Sequence, residues 1–100
     1  MKPNEKIFGR WYDQDYPLSF IDIEGNDYSE YMGEIGSEMK GKIQWKDSLN
    51  FELQLTELKG VIGNGTSMKP GKTFRVRIID VSPTRLRWRS NNKTTIFIKN

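Results

Sequence analysis

Phe74-Arg75-Val76-Arg77-Ile78 and Arg85-Leu86-Arg87-Trp88-Arg89 flank the turn Ser82-Pro83-Thr84. Every second residue of both runs is apolar, and every residue between is arginine. Successive side chains of a strand point to opposite faces, so this period of two predicts strands with one buried face and one wet one. A helix would scatter the same arginines all round its axis. The pattern recurs upstream. Phe51-Glu52-Leu53-Gln54-Leu55-Thr56 alternates, and Met39, Gly41, Ile43 and Trp45 share a face opposite Lys40, Lys42 and Gln44. Eight short strands are predicted near 7–12, 19–24, 28–35, 38–45, 50–58, 73–80, 85–90 and 94–99. Gly25-Asn26-Asp27, Gly36-Ser37, Lys46-Asp47-Ser48, Ser82-Pro83-Thr84 and Asn91-Asn92 punctuate them with turn residues.

The expected fold is therefore all-β. It is an antiparallel up-and-down meander forming a small barrel, complete or incomplete, because one apolar face must curl to hide itself and its edges. A length of 100 residues makes 1–100 a single domain. In the hairpin around Gly36, a three-residue loop sets Ile35 opposite Met39, Gly33 opposite Gly41 and Tyr31 opposite Ile43. That register places apolar beside apolar and is the one expected. A ten-residue connection, Gly63 to Lys72, is long enough to rim a binding site.

Several function classes fall away on composition. The chain has no Cys and no His, which removes disulfides, thiol nucleophiles, His-based triads and the commonest metal ligand. Gly60, Gly63 and Gly65 lack the Lys-Ser/Thr ending of a phosphate-binding loop. Asp13, Asp15, Asp22, Glu24, Asp27 and Glu30 cluster early, yet match no calcium loop, and turns favour Asp for backbone reasons. Paired carboxylates without a sugar cleft do not make a glycosidase. The expectation is a non-enzyme without cofactor or metal. No run approaches 18 apolar residues, so no transmembrane helix is expected.

The opening Ile7-Phe8-Gly9-Arg10-Trp11-Tyr12 and the closing Leu86-Arg87-Trp88 and Thr94-Thr95-Ile96-Phe97-Ile98-Lys99 resemble the small bacterial lipocalin-like domains of the calycin group. The resemblance covers about a third of the chain, at its two ends. It implies an up-and-down barrel whose first strand carries Gly9 and Trp11. It also implies a basic residue from the last strands, Arg87, Arg89 or Lys99, stacked on Trp11 to close one end. Apart from the resemblance, the favoured reading of Trp11 is a core tryptophan with no role beyond packing. The Gly9-Arg10-Trp11-Tyr12 opening is also similar to that of avidin-type barrels, but the rest of that pattern is missing, so biotin is not carried over.

Two functional surfaces are expected. The first is a ligand pocket for a small apolar or amphipathic molecule, lined by Tyr31, Trp45 and Trp88. The second is an outward face of Arg75, Arg77, Arg85, Arg87 and Arg89 that binds an anion or an acidic protein partner, as an inhibitor or accessory subunit would. Residues 1–50 carry a net −4 and residues 51–100 a net +7, so acids of the first half could instead neutralise that face. The register taken for 73–80 against 85–90 pairs Val76 with Trp88, Arg77 with Arg87 and Arg75 with Arg89. Nucleic acid is disfavoured, because Trp88 alternates with the arginines and a stacking platform needs both on one face. Localisation is open, with an exported form, periplasmic or lipoprotein with its signal removed, favoured over a cytoplasmic one. Oligomeric state is not legible.

Overall fold

The structure is a computed structural model that describes residues 3–60 and 70–99. Eight strands follow a 3₁₀ turn at Glu5–Ile7. They are β1 Gly9–Asp13, β2 Ser19–Glu24, β3 Asp27–Met32, β4 Ser37–Trp45, β5 Asn50–Lys59, β6 Thr73–Val81, β7 Arg85–Ser90 and β8 Lys93–Lys99. Each pairs antiparallel with the next, and β8 returns to β1 through Trp11 with Lys99 and Asp13 with Phe97. The barrel is thus closed, and the fold is compatible with a calycin-like architecture. Closure removes the unpaired edges that a short meander would otherwise expose.

The alternation expected from the sequence runs through the barrel wall. Ser37, Met39, Gly41, Ile43 and Trp45 of β4 face inward, with the lysines between them outside. Phe51, Leu53 and Leu55 do the same on β5, as do Leu86 and Trp88 on β7. Gly41 is required where it stands: β5 carries a bulge there, and a Cβ would sit 2.7 Å from the Gln54 carbonyl oxygen.

The hairpin between β3 and β4 departs from expectation. Glu30 lies opposite Met39, Tyr28 opposite Gly41 and Tyr31 opposite Glu38, and β3 ends at Met32. The inward residues of β3 are consequently Tyr28 and Glu30. The cause lies one hairpin earlier. Gly25 and Asn26 form a two-residue turn, Gly25 at φ 61°, which pairs Glu24 with Asp27. Ile21 and Ile23 are buried, so their partners Glu30 and Tyr28 must share the inner face. Matching apolar residues across the Gly36 turn alone ignored that constraint, and Ile35 ends half-exposed in the loop.

The second departure is in β6. Ile78, rather than Val76, lies opposite Trp88, and Ile79 is an extra residue before Asp80 pairs with Arg87. The bulge keeps Ile78 inside and turns Asp80 outward beside the arginines.

Candidate functional site

The two ends of the barrel differ. At the end formed by Gly9, Trp45, Asn50, Val81 and Lys99, the Glu5–Ile7 turn folds across the opening. Asn4 starts that turn, its side-chain oxygen accepting from the Lys6 N–H, and its amide donates to Ser48 O at 2.7 Å. Ile7 is fully buried, and the Trp11 indole N–H donates to its carbonyl at 3.0 Å. The Lys99 ammonium sits 4.4 Å from the Trp11 ring centroid and donates to Phe8 O at 2.7 Å. Of the three candidate partners of Trp11, the basic residue is therefore Lys99. Gly9 has φ 107°, and a Cβ there would lie 2.3 Å from the Lys99 Nζ. Gly9, Trp11 and Lys99 form one interlocked closure.

An aromatic row leads inward from this plug. Trp45 packs on Phe51 with ring centroids 5.0 Å apart, Phe51 on Trp88 at 5.6 Å, and Trp88 on Phe97 at 4.8 Å. A cavity of about 410 Å³, open to the surface, lies on the far side of Trp88 and reaches the strand ends at Asp13, Ser90 and Lys93. Its walls are Met39, Leu53, Leu55, Phe74, Val76, Trp88 and Phe97, with the polar groups of Tyr28, Glu30 and Thr95 among them. That volume is at the lower end of those of small-molecule sites.

Of the three predicted pocket residues, Trp88 lines the cavity. Trp45 is buried beneath it, towards the plug. Tyr31 is a correction: it points outward and stacks on Phe20 at 5.4 Å, part of an outer strip with Tyr12 and Arg10. The register of β3 decides this, since Tyr28 and Glu30 take the inward positions. Residues 63–69 of the predicted rim lie outside the described residues.

Glu30 and Tyr28 were not read as pocket residues. The Tyr28 hydroxyl donates to Glu30 Oε1 at 2.5 Å. Burial pushes the Tyr28 hydroxyl well above its ordinary pKa, and the charge of Glu30 adds to this. Burial also raises the Glu30 carboxyl; the charge of Asp13 pushes the same way, while the Tyr28 bond opposes both. The signal that could have found them is the Gly25-Asn26 turn beside two isoleucines of fixed facing.

The loops at the cavity end are tied together by Glu34. It accepts from the Ser19 hydroxyl and, at 3.0 Å, from the Leu18 N–H, and these bonds hold its carboxyl below the ordinary range. Asp13 accepts from the N–H groups of Asp15 and Tyr16, fixing the turn at the cavity rim.

The arginine face is outward, but its arginines are not equivalent. Arg87 is ion-paired with Asp80, which lowers the Asp80 carboxyl; the expected Arg77–Arg87 and Arg75–Arg89 pairs do not form. Arg77 lies opposite Arg89, and Arg75 opposite Glu52. Among the described residues Arg75, Arg77 and Arg89 make no ion pair, and they line an outer groove together with Asn91, Glu52 and Lys46, the last two paired with each other at 3.7 Å. Arg85 is exposed across from Ile98. Two of the early acids are ion-paired as well, Asp22 with Arg10 and Asp27 with Lys42. Among the described residues no three Asp or Glu side chains are grouped to hold a metal, and no helix is long and apolar enough to cross a membrane.

No protein family model matches the chain, and no curated protein or solved structure is significantly similar to it.

Proposed function

We propose that this barrel is a non-catalytic binding protein of lipocalin-like type, holding a small apolar or amphipathic molecule in the partly hollow interior. The observation that carries this reading is the contrast within one core. One part of the interior is filled by stacked aromatics behind a plug, and beside it lies an aromatic-walled space of about 410 Å³ open at the strand ends. Solid barrels of this size fill both parts with side chains. A titration with the neutral dye Nile red, read by its emission and by quenching of Trp88, tests it. Saturable binding is expected, and Thr95→Phe, which projects a ring into the space from β8, should abolish it. Absence of any saturable response from the wild-type barrel counts decisively against the reading.

A second reading is favoured by one observation of its own. Arg77 and Arg89 stand directly opposite each other and neither makes an ion pair among the described residues, and like charges so placed repel. An acidic protein segment lying along the groove with Arg75 and Lys46 would relieve that repulsion. Salt-sensitive binding of a poly-glutamate peptide, lost in an Arg77→Ser/Arg89→Ser double variant, is its expected signature. Trp88 points away from this face, so the face lacks that aromatic as a stacking surface for bases.

A further inference from the structure

Strand register, not a turn, carries Glu30 to the inner face of the barrel wall, deeper than Asp13, which lies opposite Phe97 at the strand end. Its cross-strand neighbours, Ile21 and Met39, are both buried and apolar. One oxygen accepts from Tyr28; the other is accessible and takes no side-chain or backbone donor among the described residues. No Lys or Arg among the described residues comes within ion-pair distance of it. Lys93 is the base nearest the cavity, and it is exposed at the rim with its ammonium 6.0 Å from the Tyr16 ring.

Placing a carboxylate against apolar walls costs free energy unless a cation or several donors meet it. The chain supplies a single hydroxyl. What is missing is a positive group with N–H donors, at the depth of Tyr28, joined to an apolar body that can lie against Phe74, Trp88 and Phe97. Faces of aromatic rings favour a cation over an anion as well. A fatty acid or a phosphate monoester would bring like charge against Glu30, with Asp13 at the rim adding to the repulsion.

We propose that the cavity takes a small amphipathic molecule headed by a protonated primary amine, whose ammonium is held by the Glu30 carboxylate. This inference rests on the cavity being a ligand site. It narrows the ligand class and reverses the preference for carboxylate lipids that a plain greasy pocket would allow. No covalent step is involved. The ammonium donates to the free Glu30 oxygen, Tyr28 keeps the other oxygen in place, and the hydrocarbon part displaces water from the aromatic wall.

Three probes with one tail separate the possibilities: nonylamine, nonan-1-ol and nonanoic acid, each titrated at pH 7 with tryptophan emission and calorimetry. Nonylamine is expected to bind at least about tenfold tighter than nonan-1-ol, the size of one charge-assisted hydrogen bond, with nonanoic acid weakest. Glu30→Gln should erase the advantage of the amine over nonan-1-ol, read as the ratio of the two dissociation constants. If Glu30→Gln does not fold by circular dichroism, Tyr28→Phe keeps the carboxylate and must keep the amine preference. Equal binding of amine and alcohol, or tightest binding of the acid, overturns the inference but leaves the cavity reading standing. Failure of all three probes to bind overturns the cavity reading itself.

Discussion

At the plugged end Trp11 is 1% exposed, its indole N–H is bonded, and Lys99 covers its ring while also bonding Phe8 O. At the cavity end Glu30 lies among apolar neighbours with one oxygen unmatched, and Tyr16, Leu18 and Ile35 stand more than half-exposed in the loops around it. Both ends are made from the same strands, and often from the same strand. The difference teaches how a small barrel divides its labour. One end ties Asn4, Trp11 and Lys99 to the chain itself and carries the stability, although the Trp45 indole N–H is buried there without a partner among the described residues. The other leaves acceptors, rings and volume unspent, an arrangement that lowers stability and makes sense where something else completes it.

The largest effect that would test this division is at Trp11. Trp11→Ala removes a fully buried ring, its hydrogen bond and its cation contact, and should cost about 3–5 kcal/mol of unfolding free energy. Phe74→Ala, taken from the half-buried cavity wall, should cost only about 1–2 kcal/mol, since part of that ring already faces open space. Urea midpoints measure both, and equal losses would dissolve the contrast between the ends.

The next effect has the opposite sign. The Glu30 carboxyl is raised in the fold, so between the ordinary carboxylate pKa and its raised value the folded protein binds more protons than the unfolded chain. Stability contributed by the protonated form is therefore present at low pH and lost as pH climbs through that window. Tyr28, Asp13 and Lys93 are the titratable groups that share the cavity with it. Glu30→Gln should raise stability at pH 7 by about 1 kcal/mol, a Tm gain of roughly 4–8 °C, and leave it nearly unchanged at pH 4. Thermal melts at the two pH values read this directly. A stabilising substitution at a cavity residue is what a site kept for a ligand predicts, whereas a structural carboxylate would give a loss.

The smallest effect compares two arginines on one sheet face. Arg77→Ser relieves the repulsion with Arg89 and should raise Tm by on the order of a degree. Arg87→Ser breaks the pair with Asp80 and should lower it slightly, the more so above the depressed pKa of Asp80, where that carboxylate is charged. Both shifts should fade in high salt.

Much of the architecture was legible because the evidence for it is local. Alternation along Phe51–Thr56, Phe74–Ile78 and Arg85–Arg89 shows which side of each strand is greasy without reference to any other strand. The pairing of Trp11 with a terminal base was legible from family-like ends, although choosing Lys99 over Arg87 and Arg89 required the β1–β8 ladder. The pocket was harder. Tyr31 and Trp45 were expected in it because they are aromatic; the structure turns one outward and buries the other. Glu30 stands in the sequence among the early carboxylates, and nothing in its immediate neighbours marks it as inward-facing. Its facing is inherited from Ile21 and Ile23 through a turn, and a reading that treats each hairpin alone misses that inheritance.

The order of residues by itself determined an all-β chain of eight amphipathic strands with an arginine-rich exterior, since period-two patterning is written within a few consecutive positions. Only the tertiary structure decided which part of the interior is hollow, that Glu30 looks into it, and that the Ile79 bulge delivers Asp80 to Arg87. Register accumulates across turns and bulges, and empty volume is a property of the closed ring of strands as a whole, so neither can be summed from local preferences.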